Sequence, residues 1–353
     1  MKVKNLKLEN FRNISNLNLE FDEEINIICG ENAQGKTNII EALWLFSGAK
    51  SFRNSKDQEL IKFGENGAKI SAQFDMLGVQ NDVSIKINDK KTAYLNEKKL
   101  SNTSNLAGKY NAVVFSPTDL NLVTDGPEKR RRFLDIAIGQ LYPNYIEILR
   151  NYSRAIMQRN KIIKDYRYDK TISIMLDVFE TEIVDMGNKI INYRKNYIEV
   201  LNKYVSDIYN GISSGKEQIE IFYISKNDTL NIENIKNSRE KDMFTSTTSI
   251  GPHRDDIIFK INGIDARSFG SQGQKRSVAL SLKLAGAEVI KEVCGEYPIC
   301  LLDDVMSELD ENRQNYILNH IRNWQSFITC CDTSNIKNLK NGKVIKIKGG
   351  EVI

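Results

Sequence analysis

The sequence predicts an α/β fold in which a sheet domain is interrupted by a helical insertion, and three observations predict it. The first residues and the stretch from 69 to 100 alternate apolar and polar side chains in strand fashion. A glycine-rich turn near residue 30 sits between a buried apolar strand and a helix-patterned run. A long helical stretch then separates these from a C-terminal part in which helix and buried strand alternate.

Leu6 and Leu8, then Leu17 and Leu19, alternate with polar neighbours before the continuous apolar run "INIICG". Ile39, Ile40, Leu43 and Trp44 recur at the spacing of one helix face, so a helix follows the turn. Ile70, Ala72 and Phe74, then Val83, Ile85 and Ile87, alternate again with polar turns between them, which describes a β meander. "TDGPEKRRRFLD" breaks that pattern. Asp125, Gly126 and Pro127 form a turn, and Pro127 suits a first helical turn, where its missing N–H has no intrahelical partner to lose. From there to 212, Tyr145, Ile148, Leu149, Tyr152 and Ile156 mark one helix face, and Ile198, Leu201, Val205 and Ile208 another, with Pro143 as the interruption. Strands resume at "IEIFYIS". The expected organisation is a sheet domain over 1–124 and 213–353 with a helical lobe over 125–212, and no heptad series long enough for an extended coiled coil.

The 353 residues are 41% hydrophobic, ample for a buried core. Lys+Arg number 50 against 46 Asp+Glu, a formal charge of +4, so attraction to nucleic acid has to come from local clustering. The five cysteines, Cys330 and Cys331 adjacent, lack metal-ligand spacing and read as reduced, buried small hydrophobes. The N-terminus alternates and so reads as strands instead of a signal peptide; no segment has membrane-spanning length, and a cytoplasmic location is expected.

Residues 30–37, "GENAQGKT", match G-x-x-x-x-G-K-[ST] between a strand and a helix, the context that motif requires. Gly30 and Gly35 let the backbone curl so that successive N–H groups form an anion nest at a helix N-terminus. Gly30, Glu31, Asn32, Ala33, Gln34, Gly35, Lys36, Thr37 and Asn38 are therefore the expected nucleotide contacts, with Lys36 on the β and γ phosphates and the Thr37 hydroxyl on Mg²⁺. ATP or GTP is the implied ligand.

"PICLLDDVMSELD", residues 298–310, is an apolar strand ending in paired acids, the form of a Walker B strand. Asp303 is expected in the metal's shell, and Asp304, one residue on, is expected to orient or deprotonate the attacking water, which makes Lys36, Asp303 and Asp304 the catalytic set. A solvated turn is the competing reading. Asp is one methylene shorter than the Glu many related ATPases carry at the second position, so slow turnover, suited to a switch, is expected. "GSQGQ", Gly270 to Gln274, opens a helix with Val278, Leu280, Leu282 and Leu284. By itself it is also an ordinary helix cap. In order with the other two motifs it resembles the L-S-G-G-Q signature of transporter-type ATPases and their relatives, and that resemblance implies a loop that closes on the nucleotide of a second subunit, with Ser271, Gly273 and Gln274 as the expected contacts and Lys275 and Arg276 adding positive field. "SELD", Ser307 to Asp310, resembles the loop that meets the partner's phosphate loop.

Taken with "LKLENFRNISNLNLEF", "FSPTDLNLVTDGPEKRRRFLD" and "TSIGPHRDD", these motifs stand in the order of the RecF family, ABC-type ATPases related to the heads of SMC and Rad50 proteins, and the chain resembles that family over most of its length. The resemblance implies an ABC-type P-loop ATPase head with a mixed sheet, a β meander and a helical second lobe. It implies that Arg12 approaches the nucleotide and that Ser116 to Asp119 form a metal-coordinating loop. Where a transporter has a switch histidine, "FITCCD" offers Thr329 and cysteines. His253 and Arg254 match the family's "GPHRDD" without a derivable role, and Gly251 and Pro252 read as a turn.

The resemblance further implies an ATP-dependent homodimer with weak, DNA-stimulated ATPase activity. Such a dimer binds duplex DNA and single-strand/duplex junctions, uses ATP and Mg²⁺, and loads RecA together with RecO and RecR. Arg130 and Arg131 of "EKRRR", and the series Arg150, Arg154, Lys161 and Lys164, offer phosphate contacts that would not read bases, or else form solvated faces. A small-molecule P-loop kinase and an ATP-driven interaction module without DNA are the other classes compatible with these residues.

Overall fold

Strand β1 (Lys2–Phe11) pairs antiparallel with β2 (Ile14–Glu20) in the register Leu6↔Leu19 and Leu8↔Leu17, so the alternating leucines share one buried face. Strand β3 (Ile25–Cys29) leads through the glycine-rich turn into α1 (Lys36–Leu45). The meander is β4 (Ala68–Met76), β5 (Val79–Ile87), β6 (Lys91–Leu95) and β7 (Lys98–Lys99), and it completes a six-stranded antiparallel sheet in the order β2-β1-β4-β5-β6-β7. Its inward residues, among them Ile70, Phe74 and Ile85, pack with Ile39, Ile40 and Leu43 of α1.

After β8 (Ala112–Phe115) the chain turns helical: α2 (Asn121–Thr124), α3 (Pro127–Leu141), α4 (Pro143–Asp165) and α5 (Ser173–Ile212), with a proline opening both α3 and α4. Then come β9 (Ile219–Ile224), α6 (Ile232–Asn237), α7 (Arg239–Thr245), β10 (Asp256–Ile261), β11 (Ile264–Asp265) and α8 (Ala266–Phe269). The chain continues with α9 (Gln272–Cys294), β12 (Ile299–Leu302), α10 (Glu311–His320), β13 (Ser326–Cys330), β14 (Lys343–Lys348) and β15 (Glu351–Val352). This computed structural model describes residues 1–165, 173–226, 228–331 and 342–353; residues 166–172 of the expected helical lobe, and Asp332 at the end of "FITCCD", lie outside the described residues.

The second large sheet has the order β15-β14-β3-β13-β12-β8, parallel except for the β14–β15 pair. β3, β8, β12 and β13 are buried along their whole length, as parallel strands covered on both faces must be. Successive residues serve two cores. Val113, Phe115, Cys300 and Leu302 face the side of α5 and α9, while Ala112, Val114, Ile299 and Leu301 face α1 and the antiparallel sheet. Strands β9, β10 and β11 form a small third sheet against α5 and α3.

Candidate nucleotide-binding site

Parallel strands deliver their carboxyl ends to one edge, and here β3, β8, β12 and β13 deliver Gly30, Ser116, Asp303 and Cys331. Gly30 is required by sterics, since a Cβ there would lie 2.3 Å from the Ile347 carbonyl oxygen. Gly35, at φ 108° just before α1, and Ala33, at φ 63°, supply the left-handed turns that curl the loop. The loop is tied from outside. Gly350 N–H donates to the Gln34 carbonyl at 3.1 Å, Asn13 Nδ2 to the Ala33 carbonyl at 3.2 Å, and Asn38 Nδ2 to Asn13 Oδ1 at 2.7 Å. Glu31, Asn32 and Ala33 remain exposed.

Lys36 is buried, and its Nζ donates to the Gly30 and Glu31 carbonyls at 2.6 and 2.9 Å, so the ammonium is folded inward against its own loop. The Thr37 hydroxyl donates to Asp303 Oδ1 at 2.9 Å. Asp303 is 5% exposed; burial pushes its carboxyl pKa up, hydrogen bonds from Thr37 and Thr329 pull it back, and neighbouring Asp304 adds a further upward push. A hydroxyl and a buried carboxylate facing each other beneath an anion nest fit a divalent cation shared with phosphate oxygens. No cluster of three or more His, Cys, Asp or Glu side chains that could hold a metal occurs among the described residues, so a cation here would need further ligands from water and phosphate, as suits Mg²⁺.

Asp304 stands at φ 51°, a left-handed conformation unusual outside glycine, and its N–H donates to Thr329 Oγ1 at 2.8 Å. Thr329 Oγ1 is also 3.1 Å from Asp303 Oδ1 and 3.3 Å from Asp304 Oδ1. One hydroxyl carries one proton, so Thr329 serves one carboxylate at a time. In sequence Thr329 stands out only where a transporter has a histidine; a single hydroxyl within the apolar run "FITC" is the available signal. Arg53 was missed altogether. Its Nη1 donates to Asn38 Oδ1 at 3.0 Å, and its charge lowers the Asp303 pKa.

The other expected residues make these contacts within the chain. Arg12 grips Glu41 of α1 through Nε and Nη2 at 2.9 and 2.8 Å, and Glu41 is fully buried, so this arginine fastens the helix behind the loop. The Ser116–Asp119 turn closes on itself and on Lys283, whose Nζ donates to Val114 O and Asp119 Oδ1 at 2.7 and 3.0 Å. Ser271 caps α9, with its Oγ accepting from Gln274 N–H at 3.2 Å. Gln274 Oε1 accepts Ser271 N–H at 2.7 Å, and its Nε2 donates to Glu217 Oε1 at 2.7 Å, so the Gln274 side chain braces the signature turn. Among the described residues no hydrogen bond or ion pair joins residues 270–276 to residues 30–38.

"GPHRDD" is a structural lock. The Thr248 carbonyl accepts from His253 Nε2–H at 3.0 Å and from Arg254 Nε and Nη2, which leaves His253 Nδ1 to accept from Tyr152 O–H at 2.6 Å. A Cβ on Gly251, at φ 124°, would lie 2.4 Å from that tyrosine oxygen. The DNA expectation needs one correction. Arg130 is 2% exposed, bidentate to Asp256 at 2.6 and 3.0 Å and bonded to the Asp125 carbonyl, so it is committed inside the protein and not presented to a phosphate backbone. Arg131 is half-buried and donates to Asp255 O at 2.7 Å, whereas Arg150, Arg154, Lys161 and Lys164 are exposed along α4.

The family model described as the RecF/RecN/SMC N terminal domain matches residues 2–351. The DNA replication and repair protein RecF of Lachnospira eligens is 41% identical over 360 residues, which cover 100% of this chain and 99% of that protein. The chain belongs to the RecF family. The RecF of Clostridium perfringens is likewise 41% identical over 364 residues, covering 100% of this chain and 99% of its own. A solved structure described as the recombination mediator protein RecF-ATP in the RecFOR pathway superposes with a TM-score of 0.92 at 35% identity, covering 100% of this chain and 97% of that one. The Smc head domain of Pyrococcus furiosus superposes at 0.58 and 16% identity, covering 100% of this chain and 96% of its own, a likeness of fold. The RecF architecture is thus an ABC-type, SMC-like P-loop head, as the sequence motifs imply.

Proposed function

We propose that this chain is an ATP-switched DNA-binding protein of DNA replication and repair. The observation that carries it is the Thr37–Asp303 hydrogen bond of 2.9 Å beneath a phosphate-type loop, in a chain 35% identical to a protein solved with ATP. Lys36 exchanges the Gly30 and Glu31 carbonyls for β and γ phosphate oxygens, and the loop N–H groups hold the rest of the polyphosphate. Thr37 and Asp303 hold Mg²⁺, which when bound neutralises phosphate charge. Asp304, aimed by its left-handed backbone and by Thr329, polarises the attacking water, and its short side chain keeps turnover slow.

Ser271 and the Gly273 backbone cap the γ phosphate held by a second copy, so ATP closes a homodimer and hydrolysis opens it. Arg150, Arg154 and Lys161 on α4 then bind DNA backbones, preferring gapped or junction substrates, without reading bases. RecO, RecR and RecA are the partners in this reading, and DNA stimulates the weak ATPase. Sedimentation and DNA binding measured with and without ATP, on wild type and Ser271→Arg, test it. Wild type should dimerise and bind DNA more tightly with ATP, while Ser271→Arg binds ATP as a monomer; a variant that dimerises normally removes the signature from the switch.

A further inference from the structure

A second cleft, of about 220 Å³, opens between β8, α3, α9 and the loop after α1; no residue of the phosphate loop lines it, and Arg53 stands between the two sites. Its walls are apolar, with Val113 from β8, Phe133 and Ile136 from α3, Ile290 from α9, and Phe52. Tyr197 of α5 also lines it. That side chain is 4% exposed, and its hydroxyl has no hydrogen-bond partner, although a buried phenol nearly always finds one. Burial raises its pKa, so the group remains an O–H donor.

The hydroxyl sits against Gly286, another lining residue, where a Cβ would approach it to 3.2 Å; glycine there keeps space in front of the donor. The rim is cationic. Arg132 is spoken for by Asn54 and the Ser51 carbonyl, Lys283 by Asp119, and Arg53 by Asn38 and Glu41. Half-buried Lys129 also lines the cleft, and no hydrogen bond or ion pair of its side chain occurs among the described residues.

An apolar cavity of about 150 Å³ accepts benzene, so this space takes one ring with small substituents. We propose that the cleft is a binding site for a monocyclic aromatic carboxylate, with the ring between Val113, Phe133 and Ile290, an acceptor atom on the Tyr197 hydroxyl at depth, and the carboxylate on Lys129 at the rim. The site lies beside Ser116, whose strand neighbour is the Asp303 strand, and the proposal stands independently of what the phosphate loop binds.

The test titrates the full-length protein with 4-acetylbenzoate, with 4-isopropylbenzoate, which lacks the acceptor, and with 4-methylacetophenone, which lacks the charge, by calorimetry or ligand-observed NMR. Wild type should bind 4-acetylbenzoate at one saturable site, about fivefold more tightly than the isopropyl compound, the factor one neutral hydrogen bond supplies. Tyr197→Phe should bring that ratio to about one, and Lys129→Ala should weaken both carboxylates while leaving the neutral ketone unchanged. Gly286→Leu on α9 and Ala137→Phe on α3, which add bulk to two lining residues, should abolish binding. The proposal is overturned if no probe saturates, or if binding survives a filling variant that melts as wild type does. Should neither filling variant fold, Tyr197→Phe decides, because it deletes only an unpaired hydroxyl: an unchanged acetyl-to-isopropyl ratio ends the proposal.

Discussion

Replacing Thr329 by valine tests the carboxylate arrangement most sharply. The side chain is 1% exposed, and valine matches its shape, so the change removes one hydroxyl from a packed site. Two costs add. The half-buried Asp304 N–H, which now donates over 2.8 Å, loses its acceptor, worth about 1–3 kcal/mol where water does not replace it. The donation to Asp303 over 3.1 Å, a bond to a charged group, adds about 1.5–3 kcal/mol. The expected loss is about 2.5–6 kcal/mol, read as a lower urea midpoint. Thr329→Ser, which keeps the hydroxyl and drops a methyl, should lose only about 1 kcal/mol.

Turnover supplies a second readout. The Thr329 bond lowers the Asp303 pKa against the upward push of burial, so under the proposed function its loss should move the acidic limb of the ATPase pH profile to higher pH, because a protonated Asp303 would not hold the cation. A valine variant as stable as the serine variant, with an unshifted acidic limb, would refute the role given to this hydroxyl.

Three further outcomes are expected. Arg130→Ala should destabilise by about 3 kcal/mol through the unpaired Asp256, whereas Arg150→Ala with Arg154→Ala should leave melting unchanged and weaken duplex binding at low salt; an Arg130→Ala protein that melts like wild type contradicts the buried pairing. Burial holds the His253 pKa down at about 4, against 6.5 for the ordinary imidazole. Between those values the unfolded chain binds a proton the folded one refuses, so stability rises with pH across that window and is lost as pH falls through it. His253→Gln should show a shallower melting-temperature slope there, and an identical slope counts against a neutral His253. Cys331 is exposed, with its thiol 3.7 Å from Lys36 Nζ, so maleimide labelling should fall on it, block ATP binding and be slowed by ATP; labelled protein that binds ATP normally places the thiol outside the pocket.

What could be read from sequence was local. The leucines at 6, 8, 17 and 19 declare their shared face by spacing alone, and "GENAQGKT" carries its own turn chemistry. What could not be read depended on distant partners. Thr329 reaches the two aspartates because β13 pairs with β12 in the register Leu302↔Ile328, a relation no local pattern encodes. Arg130 and Arg150 look alike as cations on helices; Asp256, from a strand far along the chain, draws the first inside and leaves the second in water. Gln274 belongs to the signature motif, yet Glu217 decides where its side chain points.

Strand β3, which opens the phosphate loop, has β13 and β14 as its only sheet neighbours among the described residues, and Cys29 lies opposite Cys330. During synthesis at about 5–20 residues per second, the loop therefore waits about 15–60 s for its flanking strands to leave the ribosome. A polypeptide cut short before β13 would carry every residue of the first motif and still lack the frame that shapes it. Such a fragment cannot compete with the finished protein for nucleotide, and its bare strand is bait for chaperones and proteases.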